Sequence, residues 1–192
     1  MPIATYSLIG INSIVFLVFN LIYGTTICGD PPWEIMCIDS NFPLLFAQVN
    51  EFILSGMRVY QLITAIFVHA YLLHMVWNML GLWYFGKYLE RLTGPLPLIL
   101  TFLVSGVAGN LATLGLGSLV SLGASGALFG VAGTYATVTF TREETKRPIV
   151  SFLIFLILIH LPALLGANIN YLAHGAGLLA GISSGLALRR LS

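Results

Sequence analysis

The chain has 192 residues, of which 58% are hydrophobic and only 8% charged, where a soluble domain carries about 25% charged residues. That composition excludes an ordinary water-soluble fold, and it excludes disorder, which requires low hydrophobicity and high net charge. A formal net charge of +1 offers no basic face for a phosphate backbone, so nucleic acid is not an expected partner.

Ile3 to Tyr23 is an apolar run of about the 20 residues that a spanning helix needs, and it lacks the basic leader of a signal peptide. A polar stretch follows, with Asp30, Pro31, Pro32, Glu34, Asp39, Pro43 and Glu51. Further spans are expected at Leu62–Phe85, Pro97–Leu116, Ser125–Phe140, Ile149–Leu165 and Tyr171–Leu188. The fold class is therefore an all-α polytopic membrane protein, a six-helix bundle in a single domain over residues 1–192. Twenty glycines imply helices whose backbones approach closely in lipid.

Lys87 and Arg91 follow the second span, Arg142, Lys146 and Arg147 the fourth, and Arg189 and Arg190 the sixth. Seven of the eight basic residues thus fall on one side, which the positive-inside rule makes cytoplasmic. Both termini then face the cytoplasm. The 25–60 loop, the Gly-rich 115–123 connection and the 166–170 connection face outward.

Ionisable groups at membrane depth are candidates for function. Asn78 lies four residues after His74, which puts both on one helical face. Ser125 sits in Gly123-Ala124-Ser125-Gly126 at the start of the fourth span. His174 heads a small-residue ladder of Gly177, Gly181 and Gly185 that lets another helix pack close. Counted from the cytoplasmic charges at 1.5 Å per residue, Ser125 lies about 25 Å up, His174 about 22 Å and His74 about 20 Å. Three polar groups from three helices therefore converge in the outer half of a core about 30 Å thick.

The fourth span is short, so the segment from Gly115 to Gly123 should dip into the protein to reach Ser125. A cavity at Ser125 is expected there, with the serine at a helix N-terminus whose free N–H groups favour a developing oxyanion. His174 is the base available to take the serine proton. The sixth span holds no Asp or Glu, so the arrangement is a Ser–His dyad. His74, Asn78 and the Ser125 amide are candidate oxyanion-hole donors.

His74-Met-Val-Trp-Asn78, Gly123-Ala-Ser125-Gly126 and Ala173-His174-Gly-Ala-Gly177 resemble, in order and in span, the three signatures of the rhomboid intramembrane serine proteases in their compact six-helix bacterial form. The resemblance implies Ser125 as nucleophile, His174 as general base, and His74 and Asn78 as oxyanion-hole donors. It gives supporting places to His69, near the mouth of the second helix, and to Gly123 and Gly177. Phe129 stands where relatives often have a Tyr that stacks on the catalytic histidine. Met57-Arg58 occupies the place of a Trp-Arg pair in the first loop, so loop anchoring is expected to differ. Glu90 matches a structural glutamate, and the first loop is expected to be membrane-associated through its Phe42–Phe46 and Phe52–Leu54 patches. The fifth helix, with Phe152 and Phe155, corresponds to a lateral gate. The implied setting is the bacterial cytoplasmic membrane, with lipid around the bundle, transmembrane proteins as substrates, the site opening to the periplasmic side, and no cofactor.

His160 matches no motif and is read as structural or gate-related. Cys28 and Cys37 lie in the outward loop, where free thiols are favoured and a disulfide stays open. Midplane histidines and a broken helix also occur in ion- or proton-coupled transporters, but no span carries Asp or Glu and no inverted repeat is evident. A metal site built from His69, His74 and His174 would lack an HExxH pair and a carboxylate.

Overall fold

The computed structural model describes residues 1–23, 25–26, 37–38, 43–117, 119–140, 150–155, 157 and 169–191. Helix α1 runs Ile3–Tyr23, as expected. Its two buried asparagines turn their amides back onto their own helix, Asn12 Nδ2 donating to the Leu8 carbonyl and Asn20 Nδ2 to that of Phe16, both at 2.7 Å. In the first loop, the two-residue strands β1 (Thr25–Thr26) and β2 (Cys37–Ile38) pair antiparallel. Helix α2 (Pro43–Phe46), strand β3 (Gln48–Val49) and helix α3 (Asn50–Leu54) follow.

The second expected span departs from its sequence outline. Instead of one helix over Leu62–Phe85, a single turn α4 (Gln61–Thr64) passes into a 3-10 turn at Ala65–Phe67, and the chain then runs extended through Val68 and Tyr71. Helix resumes as α5 (Leu72–Gly81), widens into a π turn at Leu82–Gly86 and ends as α6 (Lys87–Thr93). The break is stable because distant partners take its polar groups. The Ala65 carbonyl accepts from the Gly123 amide at 2.9 Å, and the buried His69 ring accepts from the Ala124 amide at 3.4 Å through Nε2. His69 therefore sits before the helix that carries His74, not on it.

Gly94, at φ +91°, ends α6, and Pro95 opens α7 (Pro95–Ala112) where its missing N–H costs nothing. Strand β4 (Val120–Ser121), helix α8 (Ser125–Thr139), the helical residues 150–155 (α9) and helix α10 (Tyr171–Leu191) complete the described chain. Among the described residues, three helices, Ile3–Tyr23, Pro95–Leu116 and Tyr171–Arg190, are long and apolar enough to cross a membrane. His160, Cys28, the Arg142, Lys146 and Arg147 trio, Phe42 and most of the expected fifth span lie outside the described residues, as does the Cys37 side chain.

The bundle centres on α7, α8 and α10, with Leu82, Phe85, Leu89, Leu98, Phe102 and Leu128 fully buried beside them. Leu172, Leu179 and Leu186, seven residues apart on α10, are exposed on one face of that helix. Glycines line the opposite one, so small residues face protein and large apolar ones face outward. At the far end of α6, the buried Glu90 carboxylate accepts from the Ala4 and Thr5 amides and the Thr5 hydroxyl at 2.7–2.9 Å. It thus takes up the free N–H groups at the start of α1.

Strand β3 pairs antiparallel with β4, Gln48 opposite Ser121. Buried Gln48 Nε2 lies within bonding distance of Asn50 Oδ1, the Asn110 carbonyl and Thr113 Oγ1, and Asn110 Nδ2 donates to the Leu62 carbonyl. Of the segment expected to dip inward before Ser125, residues 115–117 and Val120 are exposed, residues 121–123 are half-buried and Ala124 is buried. The first loop and the α4–α5 break, rather than lipid, meet that segment's backbone. Arg58 holds the loop despite the missing Trp: Nη1 donates to the Leu44 carbonyl at 2.8 Å, and its guanidinium covers the Phe52 ring at 4.2 Å.

Candidate active site

Ser125 is the first residue of α8, and no side chain caps that helix. The N–H groups of its first turn are therefore left to the space in front of it. That space is a cavity of about 690 Å³, lined among others by His74, Asn78, Asn110, Ser121, Ser125 and His174.

Close backbone contact brings the helices carrying Ser125 and His174 together. A methyl group added at Gly177 would meet the Gly126 carbonyl oxygen, and one at Gly181 the Gly130 carbonyl oxygen. On the third side, a methyl at Gly109 of α7 would come within 2.8 Å of the Ala173 carbonyl oxygen. Only glycine lets these backbones touch. Across this seam His174 Nε2 lies 2.8 Å from Ser125 Oγ. Either atom can donate; with the proton on Nδ1, the serine hydroxyl donates and the ring nitrogen accepts. The Phe129 ring stacks on His174, with centroids 4.3 Å apart and planes 16° from parallel. The family resemblance implied this contact, and it limits rotation of the imidazole.

His74 and Asn78 share a face of α5, and Asn78 Nδ2 donates to the His74 carbonyl at 2.8 Å. Among the described residues that bond uses one of the two Asn78 amide protons, leaving one N–H for another acceptor. The His74 ring lies over Gly123, where an added methyl would come within 2.6 Å of Cε1. Gly123 also has φ +113°, so both its conformation and its neighbour require glycine. His69 and His74 rings are 5.1 Å apart. Through the Ala124 amide, His69 holds the residue before Ser125.

Of the eight site residues expected from the sequence, His74, Asn78, Gly123, Ser125 and His174 line the cavity, whereas His69 reaches it through the Ala124 amide, Phe129 packs on His174 and Gly177 packs on Gly126. Sequence reasoning missed the buried Gln48, Asn50 and Thr113, whose partners lie 62 to 65 residues away and leave no local signal. It also missed Asn170, which an N-cap search could have found, because an amide residue stands directly before an apolar helix. Trp77 was missed as well; it lines both this cavity and a second apolar cleft of about 300 Å³ between α5, the π turn and residues 150–155.

A family profile described as Rhomboid domain matches residues 56–191. YdcA of Bacillus subtilis (strain 168), whose name places it with the rhomboid proteases, is 34% identical over 129 residues, covering 64% of this chain and 63% of that one. Rhomboid protease GluP of the same organism is 29% identical over 190 residues, 97% of this chain and 35% of its own length. RHOMBOID-like protein 6, mitochondrial, of Arabidopsis thaliana is 36% identical over 141 residues, covering 71% and 46%. The chain spans between 35% and 63% of the length of these curated relatives. With the profile matched over most of its length, the chain belongs to the rhomboid family.

Proposed function

We propose that the chain is an intramembrane serine endopeptidase that cleaves transmembrane proteins in or near the outer end of a membrane-spanning segment. The observation that carries the reading is the 2.8 Å approach of His174 Nε2 to Ser125 Oγ at the wall of a cavity. His174 takes the hydroxyl proton as Oγ attacks the scissile carbonyl carbon. The resulting oxyanion is met by His74, Asn78 and the Ser125 amide at the uncapped start of α8. His174 then protonates the leaving amine, and water entering from the outer side hydrolyses the acyl-enzyme by the same base.

Phe129 holds the imbalance of a dyad in check by keeping the imidazole plane fixed where a carboxylate would otherwise orient it. His69 and Gly123 support the approach to Ser125, and Gly177 supports the approach of His174. A substrate helix must unwind at the cut, since its carbonyls are engaged in its own hydrogen bonds. Six helices with both termini cytoplasmic, in a bacterial inner membrane with the cavity opening to the periplasmic side, complete the reading.

The test is a fluorophosphonate probe and a labelled transmembrane substrate applied to detergent-purified protein. Labelling and cleavage should both vanish in Ser125→Ala and His174→Ala, and both should survive a chelator. Cleavage that persists in Ser125→Ala refutes the proposal.

A further inference from the structure

The helices bearing Ser125 and His174 meet through a repeating contact: Gly177 lies on the Gly126 carbonyl, and four residues on, Gly181 lies on that of Gly130. Such a ladder sets how far apart two helices stand. It specifies their axial alignment less well, because a slip of one turn, about 6 Å, again sets small residue against small residue. At the lower end the Thr134 hydroxyl donates to the Gly181 carbonyl at 2.7 Å. At the upper end, where the two side chains must meet, alignment needs a pin of its own.

Asn170 is placed to be that pin. Its carbonyl accepts from the His174 amide at 3.2 Å, and its Oδ1 accepts from the Ala173 amide at 3.0 Å, capping α10. Its Nδ2 donates to Ser121 Oγ at 3.1 Å. Ser121 stands four residues before Ser125 and is itself held by pairing with Gln48. A cap needs only the acceptor, which Asp, Ser or Thr would also provide. The second bond belongs to no cap; it ties the turn carrying the histidine to the segment carrying the serine. We infer that Asn170, through Ser121, is a positioning residue that sets His174 against Ser125. The inference rests on the serine-hydrolase reading above and adds residues that none of the three sequence signatures contains.

Three variants separate the link from the cap. Ser121→Ala removes the link and leaves the cap. Asn170→Ser keeps a capping oxygen but is too short to reach Ser121. Asn170→Asp keeps the cap and restores the link in reverse, with the Ser121 hydroxyl donating to the carboxylate. Each is measured for the rate of fluorophosphonate labelling, for kcat and KM on a labelled transmembrane substrate, and for thermal unfolding in detergent. Ser121→Ala and Asn170→Ser should lose about tenfold in labelling rate and in kcat, with KM within about twofold and melting little changed. Asn170→Asp should recover most of that loss. Labelling by Ser121→Ala and Asn170→Ser at the wild-type rate overturns the inference while leaving the serine hydrolase standing. So does an Asn170→Asp variant no better than Asn170→Ser. A wild-type protein that never reacts with the probe refutes the serine-hydrolase reading itself, and this inference with it.

Discussion

Replacing Gly177 by alanine tests whether the α8–α10 seam holds the dyad. The added methyl meets the Gly126 backbone: the carbonyl oxygen, its carbon at 2.8 Å and its Cα at 3.2 Å, where ordinary contact begins at 3.4 Å. Backbone cannot rotate away as a side chain can, so the helices must part. Relieving the carbon contact alone needs about 0.6 Å, and the oxygen needs more. That displacement carries the 2.8 Å Ser125–His174 contact past the range of a good hydrogen bond. Overpacking of this kind costs about 1–3 kcal/mol of stability. A misplacement near 1 Å costs on the order of 100-fold in rate. Gly175→Ala is the control, since Gly175 is exposed and nothing lies within 4 Å of its added methyl. Probe labelling and thermal melting of both variants are the assay. Gly177→Ala should label about 100-fold more slowly, and Gly175→Ala like wild type. Equal labelling by the two variants refutes the claim that this seam sets the catalytic distance.

Three further outcomes are expected. Burial by itself would raise the Glu90 pKa, but the Thr5 hydroxyl and the Thr5 and Ala4 amides hold it below its ordinary 4.5. Its stabilisation is therefore full above that value and is lost as pH falls through the depressed folded value. Glu90→Gln should lower stability at pH 7 by about 1–3 kcal/mol and flatten the acid limb of a melting-temperature profile; an unchanged profile contradicts this role. Gly123→Ala meets both a positive φ and the His74 ring, so it should cost about 1–3 kcal/mol and slow labelling, read from melting and probe kinetics together. Phe129→Leu removes a stacked contact worth about 0.5–1.5 kcal/mol and should slow labelling by up to about tenfold, whereas Phe129→Tyr should match wild type. A Phe129→Leu variant that labels normally would show that the ring does not orient the base.

Local spacing made most of the site legible. His74 and Asn78 share a face because four residues make about one helical turn, and the structure keeps that turn intact. Ser125 opens its helix because Gly123, at φ +113°, cannot extend a right-handed helix upstream. The expected ends of α8 and α10 lie within about three residues of those observed, which is the usual uncertainty at helix ends. The break in the second span was missed for a physical reason. A stretch apolar from Leu62 to Phe85 carries no mark where its helix breaks, because the break is made good by amides more than 50 residues away.

Apolar length, which any short window of the chain displays, therefore determined by itself that this is a helical membrane protein, and counting residues from the cytoplasmic charges led to the expectation that Ser125, His174 and His74 converge. What joins those residues was decided only in three dimensions. The glycine seam, the extended break before Leu72, the Asn170–Ser121 link and the Glu90 seat for α1 each unite groups 49 to 86 residues apart in sequence. Within the bundle a polar group left without a partner is costly. The Ala65 carbonyl, the Ala124 amide, the Ser121 hydroxyl and the Ala4 and Thr5 amides meet theirs where chain segments distant in sequence come together.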